Sequence, residues 1–212
     1  TDYEGTDALP NTPSDSVGRE FYTYDDLVAA KRITGSNVSF VIPRRNWTAG
    51  TVYDIYRHDY GEYTTGSTSV RKTSNSGATT LFDSNFYVLS SARNVYKCLD
   101  NNGGATSTDE PTGVSTSVTT TADGYRWKYM YTLSAAQQAN FLSVDFMAVS
   151  PNSSPGSDQS NVISAAVDGS IDIVNIKAGG SGGTNGTFTG IPIRGDGSGG
   201  VATIVVGGGQ VT

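Results

Sequence analysis

Few residues in this chain are equipped for chemistry, and their neighbours decide what each can be. His58 is the one histidine and Cys98 the one cysteine. A lone thiol forms no internal disulfide, and one imidazole with one thiolate leaves only carboxylates to complete a metal site. A histidine, an acid and then a serine, in the order His58, Asp196, Ser198, is the one nucleophilic-triad order the histidine permits. Only Gly197 separates that acid from that serine, and too little chain follows to build a specificity pocket. His58 therefore reads as a strand-end residue in a tyrosine-rich neighbourhood. The adjacent acids Asp25-Asp26 and Asp109-Glu110 do not form a glycosidase pair, because such acids face each other across a substrate and strand neighbours point to opposite faces. Asp25-Asp26 reads as favourable charge at a helix start, and Asp109-Glu110-Pro111 as a loop.

Two glycine motifs match by spelling and fail by context. Gly195-Asp196-Gly197-Ser198-Gly199-Gly200 has the spacing of a dinucleotide fingerprint, which needs a helix N-terminus next to bind pyrophosphate. The apolar run Val201–Val206 that follows is a strand. Gly179-Gly180-Ser181-Gly182-Gly183 has the spacing of a nucleophile elbow, yet neither a helix nor a later histidine follows. Arg194-Gly195-Asp196 reads as chance in a glycine-rich turn, and four Asn-x-Ser/Thr sequons carry no weight without a secretion signal. Arg44-Arg45, between an apolar strand and Trp47, has two open readings: a guanidinium fork for a carboxylate or an aromatic ring, or an exposed strand-end charge pair. No set of residues assembles a catalytic, cofactor or metal site, and the expectation is a protein that is not an enzyme.

The elements that must position these residues are mostly strands. In Asp123-Gly124-Tyr125-Arg126-Trp127-Lys128-Tyr129-Met130-Tyr131-Thr132-Leu133 the aromatic residues share one parity, which predicts a strand with one aromatic face opened by an Asp-Gly turn. Those rings either fill a core or form a platform for a partner. Strands are also expected at Val38–Pro43, Val52–Tyr56, Phe86–Leu89, Asn94–Leu99 and Phe146–Val149, and a mobile loop over 61–80. Thr23 with Asp26, and Ser134 with Gln137, have capping-box spacing and predict two short helices. Residues 1–20 read as an extended arm.

A stretch rich in serine and proline, 151–161, reads as a linker that divides a domain at 1–150 from a glycine-rich β-module at 162–212. That module has Phe188 as its one aromatic residue, with strands expected at Val162–Val167, Ile171–Ile176, Phe188–Ile193 and Val201–Val206. Across all 212 residues only 16% are charged, while 26 Gly and 12 Tyr accompany many Ser and Thr, a composition of strands and turns. The fold class expected is mainly β: a β-sandwich with short helices plus the glycine-rich module. A net charge of −6 without a basic run argues against nucleic acid as a partner, and the absence of a long apolar run against a membrane. With no signal peptide, the chain reads as soluble and made in a cytoplasm. With no initiator Met and an end just after a strand, it also reads as a piece of a longer protein.

Four segments together resemble the baseplate wedge protein of T-even-type contractile-tailed bacteriophages, the gene-product-eight family. They are Pro13-Ser14-Asp15-Ser16-Val17, Phe40-Val41-Ile42-Pro43-Arg44-Arg45-Asn46-Trp47, Asn94-Val95-Tyr96-Lys97-Cys98-Leu99-Asp100 and Asp123-Gly124-Tyr125-Arg126-Trp127-Lys128-Tyr129. The family shows similar strings in the same order, with an acidic-proline step where Glu110-Pro111 stands, so the likeness covers residues 13 to about 150. It departs at both ends: the family carries a further segment before the first string and has a different C-terminal half. Residues 162–212 are similar in composition to the glycine-rich β-modules of large virion proteins, particularly of phages infecting cyanobacteria. The resemblance implies a β-sandwich subunit of the virion's tail baseplate that forms a homodimer and joins other baseplate wedge proteins, with no catalysis, cofactor or metal. The contact regions expected are residues 1–20 and the 61–80 and 100–115 loops. Two rivals remain. One is a carbohydrate- or receptor-binding module of a phage tail fibre, using the rings of Tyr125, Trp127, Tyr129 and Tyr131. The other is a hydrolase built on His58 and an acidic partner.

Overall fold

The structure is a computed structural model that describes residues 28–29, 31–57, 60–65, 68–72, 74–174, 176, 178–195 and 198–212. The expected arm, the start of the first expected helix with Asp25-Asp26, His58 and Asp196 lie outside the described residues, and Val28, Ala29 and Lys31, expected in that helix, are not helical. The chain separates into two units, Thr1–Ser39 and Phe40–Thr212. In the first, the described residues include a 3-10 turn, Gly35–Asn37, where the Asn37 carboxamide oxygen accepts from the Thr34 N–H at 3.0 Å.

The second unit is mainly β, as the composition predicts. Its strands are β1 (Val41–Pro43), β2 (Gly61–Thr65), β3 (Thr68–Lys72), β4 (Tyr87–Leu89), β5 (Asn94–Asp100), β6 (Thr119–Thr120), β7 (Arg126–Thr132), β8 (Phe146–Ala148), β9 (Gly186–Pro192), β10 (Val201–Gly207) and β11 (Gln210–Val211). Two helices, α1 (Ala135–Phe141) and α2 (Ser157–Ala165), flank β8 in sequence. Among the described residues all ladders are antiparallel. They form a four-stranded sheet in the order β4-β5-β7-β6, a three-stranded sheet β11-β10-β9, and the pairs β1-β8 and β2-β3.

The four-stranded sheet is covered on both faces, and a bulge is what makes that possible. Tyr96 pairs with Tyr129 and Val95 with Tyr131, so Met130 is an extra residue on β7. Neighbours on β5 point to opposite faces, and their partners Tyr129 and Tyr131 must do the same. The expected single aromatic face is therefore corrected. Tyr125, Trp127 and Tyr129 join Tyr53, Val88, Tyr96 and Cys98 in one core cluster. Tyr131 and Leu133 join Tyr87, Leu89, Val95, Met147 and Ala148 in a second. The β1-β8 pair supplies the second layer over that second cluster through Ile42, Met147 and Ala148, sheet packed on sheet. Trp47 and Val162 of α2 pack against the first cluster.

The strands expected at Phe86–Leu89, Asn94–Leu99 and 125–133 are β4, β5 and β7, and α1 begins where its capping box predicts. The Ser134 hydroxyl accepts from the Gln137 N–H at 3.2 Å, and the Gln137 side chain accepts from the Ser134 N–H at 2.9 Å. Four expectations are corrected. Residues 52–57 form no ladder; Thr51 bridges Ser107 instead, the Tyr53 backbone binds the Tyr125 hydroxyl and the Asn101 carboxamide, and the Asp54 and Tyr56 N–H groups donate to the Asn85 and Cys98 carbonyls. The 61–80 stretch contains the antiparallel pair β2-β3, whose register runs from Gly61 opposite Lys72 to Thr65 opposite Thr68. Residues 157–165, expected as the end of a linker and the start of a strand, are α2. Gln159 and Val162, three apart, lie on the face turned to the sheet, and Asp158 in the first turn suits the helix dipole. Residues 171–174 and 176 form no strand, whereas Phe188–Ile193 and Val201–Val206 fall on β9 and β10.

Candidate functional site

The aromatic strand β7 was the stretch best able to serve as a binding platform, so the state of its rings decides what it can do. Tyr125 and Trp127 are 0% exposed, Tyr129 2% and Tyr131 8%. Trp127 stacks on Tyr125 with centroids 5.5 Å apart and meets Tyr53 edge-on at 5.6 Å. The hydroxyls are tied to backbone or neighbouring side chains. Tyr125 donates to the Ala105 carbonyl while accepting from the Tyr53 N–H, and Tyr131 donates to Ala148 O at 3.0 Å. Tyr96 donates to Gly113 O at 2.6 Å, and Tyr87 to Pro43 O at 2.7 Å. Burial pushes the Tyr125 phenol up to about 12 and Tyr131 further in the same direction. These rings are anchors of loops to a core.

Two carboxylates organise the loops around this strand, and sequence reasoning singled out neither as a hub. Asp123 opens the β7 turn, where its side chain collects five donors. The Ser107 hydroxyl (2.9 Å), Thr108 N–H (2.8 Å) and Asp109 N–H (3.1 Å) reach one oxygen; the Thr121 hydroxyl and Tyr125 N–H reach the other. Burial by itself would raise this acid, but the donors outweigh it and hold the carboxyl at about 2. The Trp47 indole N–H donates to Ser107 Oγ at 3.1 Å, which joins the Arg44–Trp47 segment to Asp123 through one hydroxyl. Asp54 is wholly buried and accepts from Ser76 N–H (2.8 Å), Ser76 Oγ (2.6 Å), Ser84 Oγ (3.0 Å) and Asn85 N–H (2.8 Å). Its burial likewise opposes ionisation, and these hydrogen bonds win, holding its pKa below the ordinary carboxylate value. The only sequence signal for the first hub was the Asp-Gly turn; the second has none, because its four donors lie 22 to 31 residues away.

The remaining candidates resolve in the same way. Arg44 binds Asn46 Oδ1 at 2.9 Å and Ser143 O at 2.8 Å, while Arg45 binds Asn85 Oδ1 and Phe82 O and lies 5.5 Å from the Tyr87 ring centroid. The fork exists, and it is spent on two carbonyls, two carboxamides and a ring of the same chain. The carboxylates of Asp109 and Glu110 part company: Asp109 accepts from Ala122 N–H at 2.8 Å, and Glu110 takes both the N–H and the hydroxyl of Ser91. Burial raises the Cys98 thiol far above its usual range, so it is poorly nucleophilic. Residues 198–200 lead into β10 rather than a helix. In the other glycine motif, a Cβ at Gly179 would stand 2.5 Å from Val211 O, so that glycine serves a close backbone approach.

A shallow depression of about 150 Å³ lies between Tyr129, Thr132, Ser134 and the start of α2 at Gly156–Gln159. Small-molecule sites usually enclose roughly 300 Å³ or more, so it accommodates a few atoms at most. Among the described residues, no group of three or more His, Cys, Asp and Glu side chains is placed to hold a metal ion, and no helix is long and apolar enough to cross a membrane. Set against protein-family models, curated proteins and solved structures, the chain matches none.

Proposed function

We propose that the chain is a structural component of a contractile phage tail baseplate wedge, acting in assembly and in passing conformational change between neighbours. The observation that carries this reading is the mutual engagement of the three described segments, of the four on which the resemblance rests. Arg45 and Trp47 run along the edge of β4 through Leu89 N–H to Arg45 O (2.7 Å) and Trp47 N–H to Leu89 O (2.9 Å). Asn94–Asp100 is β5, and Arg126–Tyr129 of the last segment pairs with it inside β7. Strings that match by chance have no reason to converge on one sheet; strings kept for a common fold do. An assembly protein also needs a rigid scaffold that leaves loops for contacts, and here the aromatic residues and acidic hubs are spent on rigidity.

The rival sugar-binding reading draws on the rings of Tyr125, Trp127, Tyr129 and Tyr131, and burial removes them as a stacking surface. His58 lies outside the described residues, and no observation favours the hydrolase. The test is cross-linking mass spectrometry on purified particles that contain this chain. Cross-links to baseplate wedge proteins are expected; cross-links confined to the capsid shell or a fibre tip would sink the reading.

A further inference from the structure

The geometry points to the paired lysines Lys97 and Lys128 as a docking point for an acidic protein segment, held in this structure by the chain's own Asp172. Lys97 and Lys128 are directly opposite in the β5-β7 ladder, in line with Tyr87 on β4. They share the sheet face that carries Val95 and Tyr131, beyond the part covered by β1-β8. Like charges set opposite each other across strands repel, and each of these is half-buried, which raises the cost. The Lys97 ammonium lies 4.6 Å from the Tyr56 ring centroid, and burial lowers its basicity. Neither ammonium donates a hydrogen bond to any described residue.

What offsets the repulsion is one carboxylate. Asp172 lies 3.9 Å from Lys128 Nζ, and its charge also favours the protonated form of Lys97. At that distance it is an ion pair without a hydrogen bond, its aspartate side chain 55% exposed. Arg126 on the same face is already paired with Asp100 at 3.8 Å, so two lysines and one aspartate leave an excess of one positive charge. Asp172 belongs to a stretch without regular structure after α2, in which Val167, Ile171 and Val174 are all more than half exposed. Few contacts oppose its release. A segment offering two carboxylates would match the lysine pair better than Asp172 does, and would complete the hydrogen bonds that Asp172 does not make.

The site stands on these contacts alone; the assembly reading enters only in naming a wedge neighbour as the source of the acidic segment. The test uses the full chain with a short oligoglutamate peptide as probe and oligoglutamine as control, binding being followed by calorimetry. Asp172→Asn removes the internal competitor and is expected to tighten oligoglutamate binding about threefold to fivefold, the range of an exposed ion pair. Amide exchange in 166–174 is expected to quicken in that variant. Lys97→Gln with Lys128→Gln is expected to abolish binding; should that variant fail to fold, Asp172→Lys at the exposed position is expected to weaken binding in its place. Equal affinity in wild type and Asp172→Asn, or equal binding of oligoglutamine, would overturn the proposal. Tightened binding with unchanged incorporation of Asp172→Asn into particles upholds the docking point and counts against the assembly reading instead.

Discussion

Asp123 shows how a residue that looks like turn chemistry becomes a structural centre. Its place before Gly124 is legible in sequence because an Asp-Gly turn is local, and Gly124 takes the positive φ (82°) that the turn needs. Its other donors, from Ser107, Thr108 and Asp109, depend on how a separate loop folds back. The consequence can be measured. The folded pKa, about 2, lies below the ordinary 3.8, so the carboxylate's contribution is complete above about pH 4 and is lost as pH falls through about 2. That shift corresponds to on the order of 2 kcal/mol. Urea midpoints of Asp123→Asn should therefore lie well below wild type near neutral pH and converge with it in acid; a constant gap at all pH values would contradict the assignment. Asp54 is depressed in the same direction and remains in both proteins, so the difference between them isolates Asp123.

At the level of elements, the bulge at Met130 decides how the aromatic strand is used. A strict period of two would place Tyr131 and Leu133 beside Tyr129 on one face and leave the β1-β8 layer without its partners. Inserting an alanine between Val95 and Tyr96 gives Met130 a partner, restores that period and turns Tyr131 and Leu133 to the wrong side. Loss of at least about 3 kcal/mol is expected from the displaced Tyr131 and Leu133, read by chemical denaturation. An equally stable insertion variant would show that the register shift is incidental. Periodicity named the strand correctly because alternation is a local signal. It missed the bulge because register is a relation between β5 and β7. The capping box of α1 was legible for the same reason that α2 was not: the first depends on Ser134 and Gln137 three residues apart, the second on Val162 finding the aromatic cluster.

In the molecule as a whole, burial is uneven. Val88, Tyr96, Cys98 and Trp127 are closed off from solvent, whereas every residue of β9 is exposed and Val206 is the one buried residue in the described part of β9, β10 and β11. A three-stranded sheet with Phe188, Val201 and Val205 in water gains little from apolar burial and opens locally at low cost. Amide hydrogen exchange should thus show strong protection across β5 and β7 and much weaker protection in β9 and β10. Equal protection in the two sheets would show that the glycine-rich sheet draws stability from contacts other than its own strands.

Some of this protein is set by its linear order. Low charge, abundant Gly, Ser, Thr and Tyr, and alternation in 86–99 and 125–133 dictate a mainly-β fold, because each acts over a few neighbouring residues. The fate of each candidate group is a tertiary decision. Arg45 reads as a fork from its neighbours, yet only the return of Phe82 and Asn85 to its side occupies it. Asp54 reads as one strand residue among others until Ser76, Ser84 and Asn85 close over it. The rings of β7 read equally well as core or platform; Tyr53, Val88 and Met147, brought from distant parts of the chain, settle that they are core. Pairing, register and desolvation are properties of groups far apart in sequence, and so they emerge only when the chain has folded.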